Sequence, residues 1–143
     1  MPPTVTQERS VGCRLRRDPA QVSRARRLVR ETLADWGLDG YIDHTVLISS
    51  ELVTNALRHG AGMINIRLYR ARCELRVEVH DHGAGRPVRR RAGTADEGGR
   101  GLAVVDGLIS MYNGQCGCTD DRTGPGKTVY VVLPIITNAV GAW

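Results

Sequence analysis

Hydrophobic residues recur at helical spacing near the start of the chain. Apolar side chains across residues 22–36 repeat every three or four positions, which predicts an amphipathic helix. Asp18 and Pro19, just before this stretch, are typical of a helix start, with an acidic N-cap and a proline in the first turn. Gly37 is typical of a helix end. The pattern therefore predicts a first helix between these two boundaries.

A second helix is predicted over residues 39–59, and it carries a polar pair in an unusual place. With Val46 set at 0° on a helical wheel of about 100° per residue, Glu51 falls at roughly 140° and Asn55 at roughly 180°, opposite the main apolar stripe. Further apolar residues flank this pair, which predicts a helix covered on both sides. The stripe consists of Ile42, Val46, Val53 and Leu57, and the flanking residues are Ile48 and Leu52.

Strict alternation of apolar and polar residues predicts strands in the rest of the chain. Two alternating stretches are separated by a short link at Ala71 and Arg72, which is typical of a hairpin. Helical spacing returns over residues 101–111 and predicts a third helix. The predicted strands cover residues 9–16, 64–69, 74–80, 113–119 and 128–133.

Five strands and three helices that do not alternate regularly argue against a doubly wound sheet. We therefore predict an α/β (α+β) two-layer sandwich, in which a mixed, mostly antiparallel sheet carries its helices on one face. The 143 residues fit one domain, at residues 9–134, between an N-terminal tail at 1–8 and a C-terminal tail at 135–143. No apolar run approaches the length of a membrane helix and no secretory signal is visible, so the expected location is cytoplasmic.

The net charge of +5 leaves two interpretations open. A basic chain can bind nucleic acid, but no known nucleic-acid-binding motif accompanies the charge here. The other interpretation is a solvated helix face together with a loop that faces phosphates, and on this basis no direct nucleic-acid partner is expected. The arginines concerned are Arg24, Arg26, Arg27 and Arg30 in the first helix, and Arg86, Arg89, Arg90 and Arg91 in the loop.

Two glycine-rich stretches resemble phosphate-binding loops. The stretch from Gly124 to Thr128 lacks the first glycine of a phosphate loop and leads into a strand, whereas such a loop must open a helix. Residues 97–102 are glycine-rich and do open a helix, where backbone N–H groups attract anions. A flexible connector needs the same glycines, so this stretch by itself does not decide between the two roles.

Asp81, Gly83 and Gly85 follow a predicted strand, and by themselves they are equally ambiguous. A turn after a strand often contains Asp and Gly. If the motif has a functional role, Asp81 accepts a hydrogen bond from the exocyclic amine of a ligand, and the glycines let the flat ring of that ligand come close.

Taken together, these motifs resemble the GHKL superfamily of ATPases, which includes DNA gyrase, histidine kinases and MutL. Within it, the chain resembles the small anti-sigma-factor serine kinases, over roughly residues 10–134. Each motif alone is unspecific, and the ordered set is specific. In chain order the motifs are Glu51 to Ala56, Asp81 to Gly85, Gly99 to Leu102, and Gly126 to Thr128.

The resemblance implies a Bergerat ATP-binding fold, with ATP and Mg²⁺ as cofactors. It implies that Asn55 is the Mg²⁺ ligand, that Glu51 is the catalytic base and that Asp81 binds adenine. It also implies that residues 86–99 form a lid over ATP and that Thr128 supports Asp81. The remaining implied ATP-binding residues are Gly83 and Gly85 at the base pocket, and Gly99, Arg100, Gly101 and Leu102 at the phosphates.

The resemblance further implies an anti-sigma factor that phosphorylates a serine or threonine of its antagonist. Its partners would be a sigma factor, an anti-sigma antagonist, or both, and a homodimer is possible. One alternative is a nucleotide-gated binding module without kinase turnover, which needs Asn55 and Asp81 but not Glu51. Another is the catalytic half of a split histidine kinase, which is disfavoured because no helical hairpin with a phosphoacceptor histidine is predicted. Glu51 could also be a surface carboxylate paired with Arg58 or Arg100, and His59 a simple helix cap.

Overall fold

The computed structural model describes residues 8–84 and 97–136, with the backbone alone at 97–102. Its elements follow the predicted order closely. They are β1 (Arg9–Leu15), α1 (Gln21–Asp35), a 3-10 turn (Asp39–Tyr41), α2 (Ile42–His59), β2 (Ile64–Arg70), β3 (Glu74–Asp81), α3 (Glu97–Tyr112), β4 (Gln115–Asp120) and β5 (Lys127–Pro134).

The five strands form one sheet in the order β1-β2-β3-β5-β4, and every adjacent pair is antiparallel. The predicted two-layer α/β architecture is confirmed. The predicted mixed sheet is wrong in one respect, because no adjacent strands among those described are parallel. The strands β3 and β4 run the same way, because each is antiparallel to β5, which lies between them.

Apolar side chains on one face of the sheet form the core with the three helices. Alternate residues of β2 and β3, and Val131 and Leu133 of β5, are buried on this face, which follows from the two-residue period of a strand. The helices are amphipathic and cover this face only, with α2 against β2 and β3, and α3 against β4 and β5. The buried strand residues include Leu15, Ile64, Ile66, Leu68, Leu75, Val77, Val131 and Leu133.

The end of α1 confirms the glycine signal seen in the sequence. Gly37 has a left-handed φ of +72°, which an L side chain rarely adopts. Its N–H donates to the carbonyl of Ala34 at 3.1 Å, and the N–H of Leu38 donates to the carbonyl of Leu33 at 2.8 Å. These two hydrogen bonds form a Schellman motif, and they satisfy carbonyls that the helix end would leave unpaired.

The start of α1 is less sharp than predicted. The Asp18 carboxylate accepts the N–H of Ala20 at 2.9 Å, so it caps a turn rather than the helix itself. The α-helix proper begins at Gln21, whose N–H donates to the Asp18 carbonyl at 2.8 Å. Asp18 therefore starts the chain turning, and the helix follows.

Two predicted boundaries lie elsewhere in the structure. The helix α3 begins at Glu97, four residues earlier than predicted, so the last part of the predicted lid is helical. The rest of the predicted lid, at residues 86–96, lies outside the described residues, as do residues 1–7 and 137–143 of the predicted tails. Ile135, at the start of the predicted C-terminal tail, is buried and donates its N–H to the carbonyl of Cys73 at 2.7 Å.

Among the described helices, none has both the length and the apolar character needed to cross a membrane.

Candidate functional site

The helix α2 is covered on both sides, as its sequence pattern predicts. Val46 and Val53, on the main stripe, are buried, and so are Ile48 and Leu52 on the other side. The reason is that α2 lies between α1 and α3 while also packing on the sheet. Glu51 and Asn55 lie at the margin of this contact and are both half-buried.

Asn55 and Asp81 line the same pocket, although they are on different elements. Asn55 reaches it from α2, and Asp81 reaches it from the last position of β3. The pocket is narrow, with apolar walls and a polar floor. Its lining includes Leu52, Asn55, His59, Asp81, Lys127 and Val129. Glu51 lies one turn before Asn55 on the same helix and is not part of this lining.

Asp81 is held at the floor of the pocket by three donors. Its Oδ1 atom accepts the N–H of Gly83 at 2.6 Å and the N–H of Ala61 at 3.4 Å. It also lies 2.9 Å from the ammonium of Lys127. The exposed fraction is only 2% for the Asp81 side chain and 4% for that of Lys127. Because charges are so costly to bury alone, the two buried groups depend on each other.

Two glycines make room for this carboxylate. A β-carbon at Gly60, the residue that ends α2, would overlap the Asp81 carboxyl group. A β-carbon at Gly83 would lie 3.0 Å from Asp81 Oδ1 and 2.9 Å from the Cα of Gly60. A role in the pocket was predicted from the sequence for Gly83 but not for Gly60. Both are required because the end of α2 and the turn after β3 touch at this point.

The expected contact between Thr128 and Asp81 is not what the structure shows. In the β3–β5 register, Thr128 lies opposite His80, and Lys127 lies opposite Asp81. Successive strand residues point to opposite faces of a sheet, so Thr128 is on the face away from Asp81. Lys127 takes the position that the resemblance had given to Thr128. The signal was present in the alternation of Val129, Val131 and Leu133, which continues back to position 127.

The predicted phosphate-binding stretch falls at the beginning of α3. Gly99, Arg100, Gly101 and Leu102 are all inside the helix, which starts at Glu97, and their side chains are not described. The N–H groups of the first turn of a helix have no partner within the helix. The predicted phosphate-binding residues therefore lie within the first two turns of α3, where helix ends in general can attract anions. Gly85 lies outside the described residues.

Besides Lys127, two residues at or near the pocket were not predicted from the sequence, His59 and Gly60. His59 was interpreted as a cap of α2, whereas the structure places it on the wall of the pocket, one turn beyond Asn55. Its helical spacing from Asn55 was the available signal.

The C-terminal end of α2 is capped by an arginine. The Arg17 guanidinium donates to the carbonyls of Ala56, at 3.1 Å, and Leu57.

Comparisons with known proteins identify the domain family and the fold. Residues 15–131 match the model of the histidine kinase-like ATPase domain. Among solved structures, the Acinetobacter baumannii histidine kinase AdeS shares 16% identity with a TM-score of 0.54, over 90% of this chain and 70% of that one.

A second similar structure is the histidine kinase domain of the Erythrobacter litoralis EL346 blue-light activated histidine kinase, with 22% identity and a TM-score of 0.48. The match covers 82% of this chain and 60% of that one. None of the curated proteins matches the sequence. Because the domain model covers most of the chain, the chain belongs to the histidine kinase-like ATPase domain family, within the GHKL superfamily.

Proposed function

We propose that this protein binds ATP with Mg²⁺ and phosphorylates a serine or threonine of a protein partner, as an anti-sigma-factor kinase. Membership of its family implies ATP binding. The observation that supports the finer assignment is the alignment of Glu51 and Asn55 along α2, with Asn55 in the same pocket as Asp81.

The pocket floor suits an adenine ring. A buried carboxylate accepts hydrogen bonds only, and an exocyclic amine is the donor that adenine offers. The described contacts of Asp81 all use Oδ1, and none of them uses Oδ2. The glycines at 60 and 83 leave room for the Asp81 carboxylate at the pocket floor, where a β-carbon would clash with it or with the adjacent backbone. These features support adenine binding at Asp81.

Asn55 and Glu51 suit the phosphate end of the nucleotide. Asn55 supplies a neutral oxygen, and oxygen ligands are those that Mg²⁺ prefers. ATP would supply the transferable phosphoryl group, and Mg²⁺ would neutralise the negative charge on the phosphates. One turn earlier, the half-buried carboxylate of Glu51 would take the proton of the attacking hydroxyl. A serine or threonine hydroxyl needs such a base, whereas a histidine nucleophile does not.

The test is transfer of labelled γ-phosphate from ATP into proteins of an extract from the natural source. We expect a labelled serine or threonine with the wild type and at least about a hundred-fold less label with Glu51→Gln, since general bases contribute about 10²–10⁴ to the rate. ATP affinity should stay the same in that variant. Equal labelling by Glu51→Gln would remove the base role.

The sigma-regulation part of the proposal rests on the family resemblance of the motifs and on the cytoplasmic location expected from the sequence. Its test is to identify the labelled protein and ask whether it, or a sigma factor, binds the purified chain in the presence of Mg²⁺ and ATP. Tight ATP binding without any labelled partner would instead favour a nucleotide-gated binding module.

A further inference from the structure

We propose that Lys127 is a base-recognition residue, which donates a hydrogen bond to N1 of adenine beside the amine accepted by Asp81. The proposal rests on ATP binding at the pocket described above, and it concerns a residue to which the sequence analysis gave no role. Its basis is the buried ion pair at the pocket floor.

The position of Lys127 is set by strand pairing. It is the first residue of β5, directly opposite Asp81 at the end of β3. From there its side chain points to the helix-covered face and lines the pocket together with Leu52 and Val129. Only 4% of the side chain is exposed, so the ammonium lies inside this pocket rather than in solvent.

An ammonium in such a place is chemically unusual. Lysine is almost never fully buried unless its charge is paired. The pairing with Asp81 meets that condition. However, two well-packed apolar side chains would fill the same space without the free-energy cost of removing two charges from water. Convergent polar groups in an otherwise apolar pocket are typical of ligand recognition.

The ammonium retains a donor for a ligand. Lysine has three N–H donors. Among the described residues, Nζ contacts two acceptors, Asp81 Oδ1 at 2.9 Å and the carbonyl of Gly83 at 3.4 Å. No third acceptor from the described part of the chain contacts this ammonium, so a donor remains next to a carboxylate whose Oδ2 atom takes part in none of the described contacts. The pocket floor therefore presents a donor and an acceptor side by side.

This pair complements the Watson–Crick edge of adenine. That edge carries an amine donor at N6 and an acceptor at N1, which would face Asp81 and Lys127 respectively. The ion pair has no net charge, so a neutral base can bury against it without leaving a charge unpaired. A site built to make a hydrogen bond discriminates against an analogue that lacks the partner atom.

The test compares three nucleotides by calorimetric titration with the wild-type protein and Mg²⁺. In 1-deaza-ATP the N1 acceptor is replaced by C–H and the N6 amine is kept, whereas 7-deaza-ATP is altered at the other ring. We expect 1-deaza-ATP to bind about ten-fold to a hundred-fold more weakly than ATP, because the lost bond involves a charged donor. We expect 7-deaza-ATP to bind like ATP. Equal binding of 1-deaza-ATP and ATP would overturn the proposal.

A variant then assigns the effect to Lys127. In Lys127→Met the penalty for removing N1 should fall to less than about two-fold. Should that variant not fold, Lys127→Thr takes its place, because its hydroxyl remains polar next to Asp81 but ends well short of Nζ. An unchanged penalty in the folded variant would mean that another group contacts N1, which overturns the proposal. Arg122→Met is the matched control, since it removes the same charge from an exposed position.

The outcomes separate this proposal from the proposed function. If ATP binds and N1 proves irrelevant, only the role of Lys127 is lost. If ATP does not bind the wild type at all, both are overturned.

Discussion

Gly60, which ends α2, lies so close to Asp81 that a β-carbon at position 60 would overlap the carboxyl group. These two residues belong to different elements and are 21 positions apart in the chain. Their contact joins the end of the helix that carries Asn55 to the strand that carries Asp81. The geometry of the proposed ATP site therefore depends on a residue without a side chain.

Replacing Gly60 with alanine should damage both stability and ATP binding. We expect a loss of about 1–3 kcal/mol in the free energy of unfolding, the usual cost of overpacking, measured by urea denaturation. ATP affinity should fall as well, because Asp81 must move. Gly107→Ala in α3 is the control, because a β-carbon at that position meets nothing within 4 Å. We expect this substitution to stabilise the protein by about 0.4–1 kcal/mol. A Gly60→Ala protein with normal stability and affinity would contradict the close contact.

Changing Asp81 to asparagine should leave the ammonium of Lys127 buried without its charged partner. We expect the free energy of unfolding to fall by about 3–5 kcal/mol. The double variant Asp81→Asn with Lys127→Met should recover most of this loss, because neutral replacements of a buried ion pair are often tolerated. ATP binding should be lost in both proteins. Recovery of ATP binding in the double variant would show that Asp81 does not bind the base.

Arg17→Ala should loosen the end of α2 next to the pocket. The guanidinium donates to the carbonyls of Ala56 and Leu57 at the C-terminus of the helix, where a cation is also favourable. Because Arg17 is exposed, we expect a modest loss of about 1 kcal/mol in unfolding free energy. Arg16→Ala, also at an exposed arginine, should change it by less than about 0.5 kcal/mol. Equal effects of the two substitutions would argue against the cap.

Tyr112 should make stability depend on alkaline pH. Burial, and next the neighbouring Tyr41, raise the pKa of the Tyr112 hydroxyl above its usual value of 10.0. The unfolded chain then releases this proton first as the pH rises, so the stabilisation is complete below pH 10 and is lost above it. The hydroxyl also lies 2.6 Å from Nδ1 of His44.

The measurement is urea denaturation at several pH values between 8 and 11, for the wild type and Tyr112→Phe. We expect the variant to be less stable at pH 8, through loss of the His44 contact, and to lose less stability than the wild type above pH 10. Parallel curves for the two proteins would contradict the raised pKa. Absorbance titration of the tyrosines gives an independent check.

The local elements of this protein follow from local sequence patterns. The apolar period of residues 22–36 and the glycine at position 37 predict α1 and its end, because helical hydrogen bonds join residues close in sequence. Alternation predicts each strand for a similar reason, since the side-chain period belongs to the single strand. The motif order from Glu51 to Thr128 was enough to indicate the superfamily. The superfamily is confirmed by the match to the histidine kinase-like ATPase domain, and the fold by the similarity to a solved structure.

Only the tertiary structure decided which side chains point into the site. Whether position 127 or 128 faces Asp81 depends on the register between β3 and β5, and a one-residue difference moves a side chain to the other face of the sheet. In the same way, the role of Gly60 depends on where α2 meets the turn after β3. Such contacts join distant residues, so no local pattern encodes them. By itself the sequence determined which elements form and which family motifs they carry, and the packing of those elements decided that Lys127, rather than Thr128, lies against Asp81.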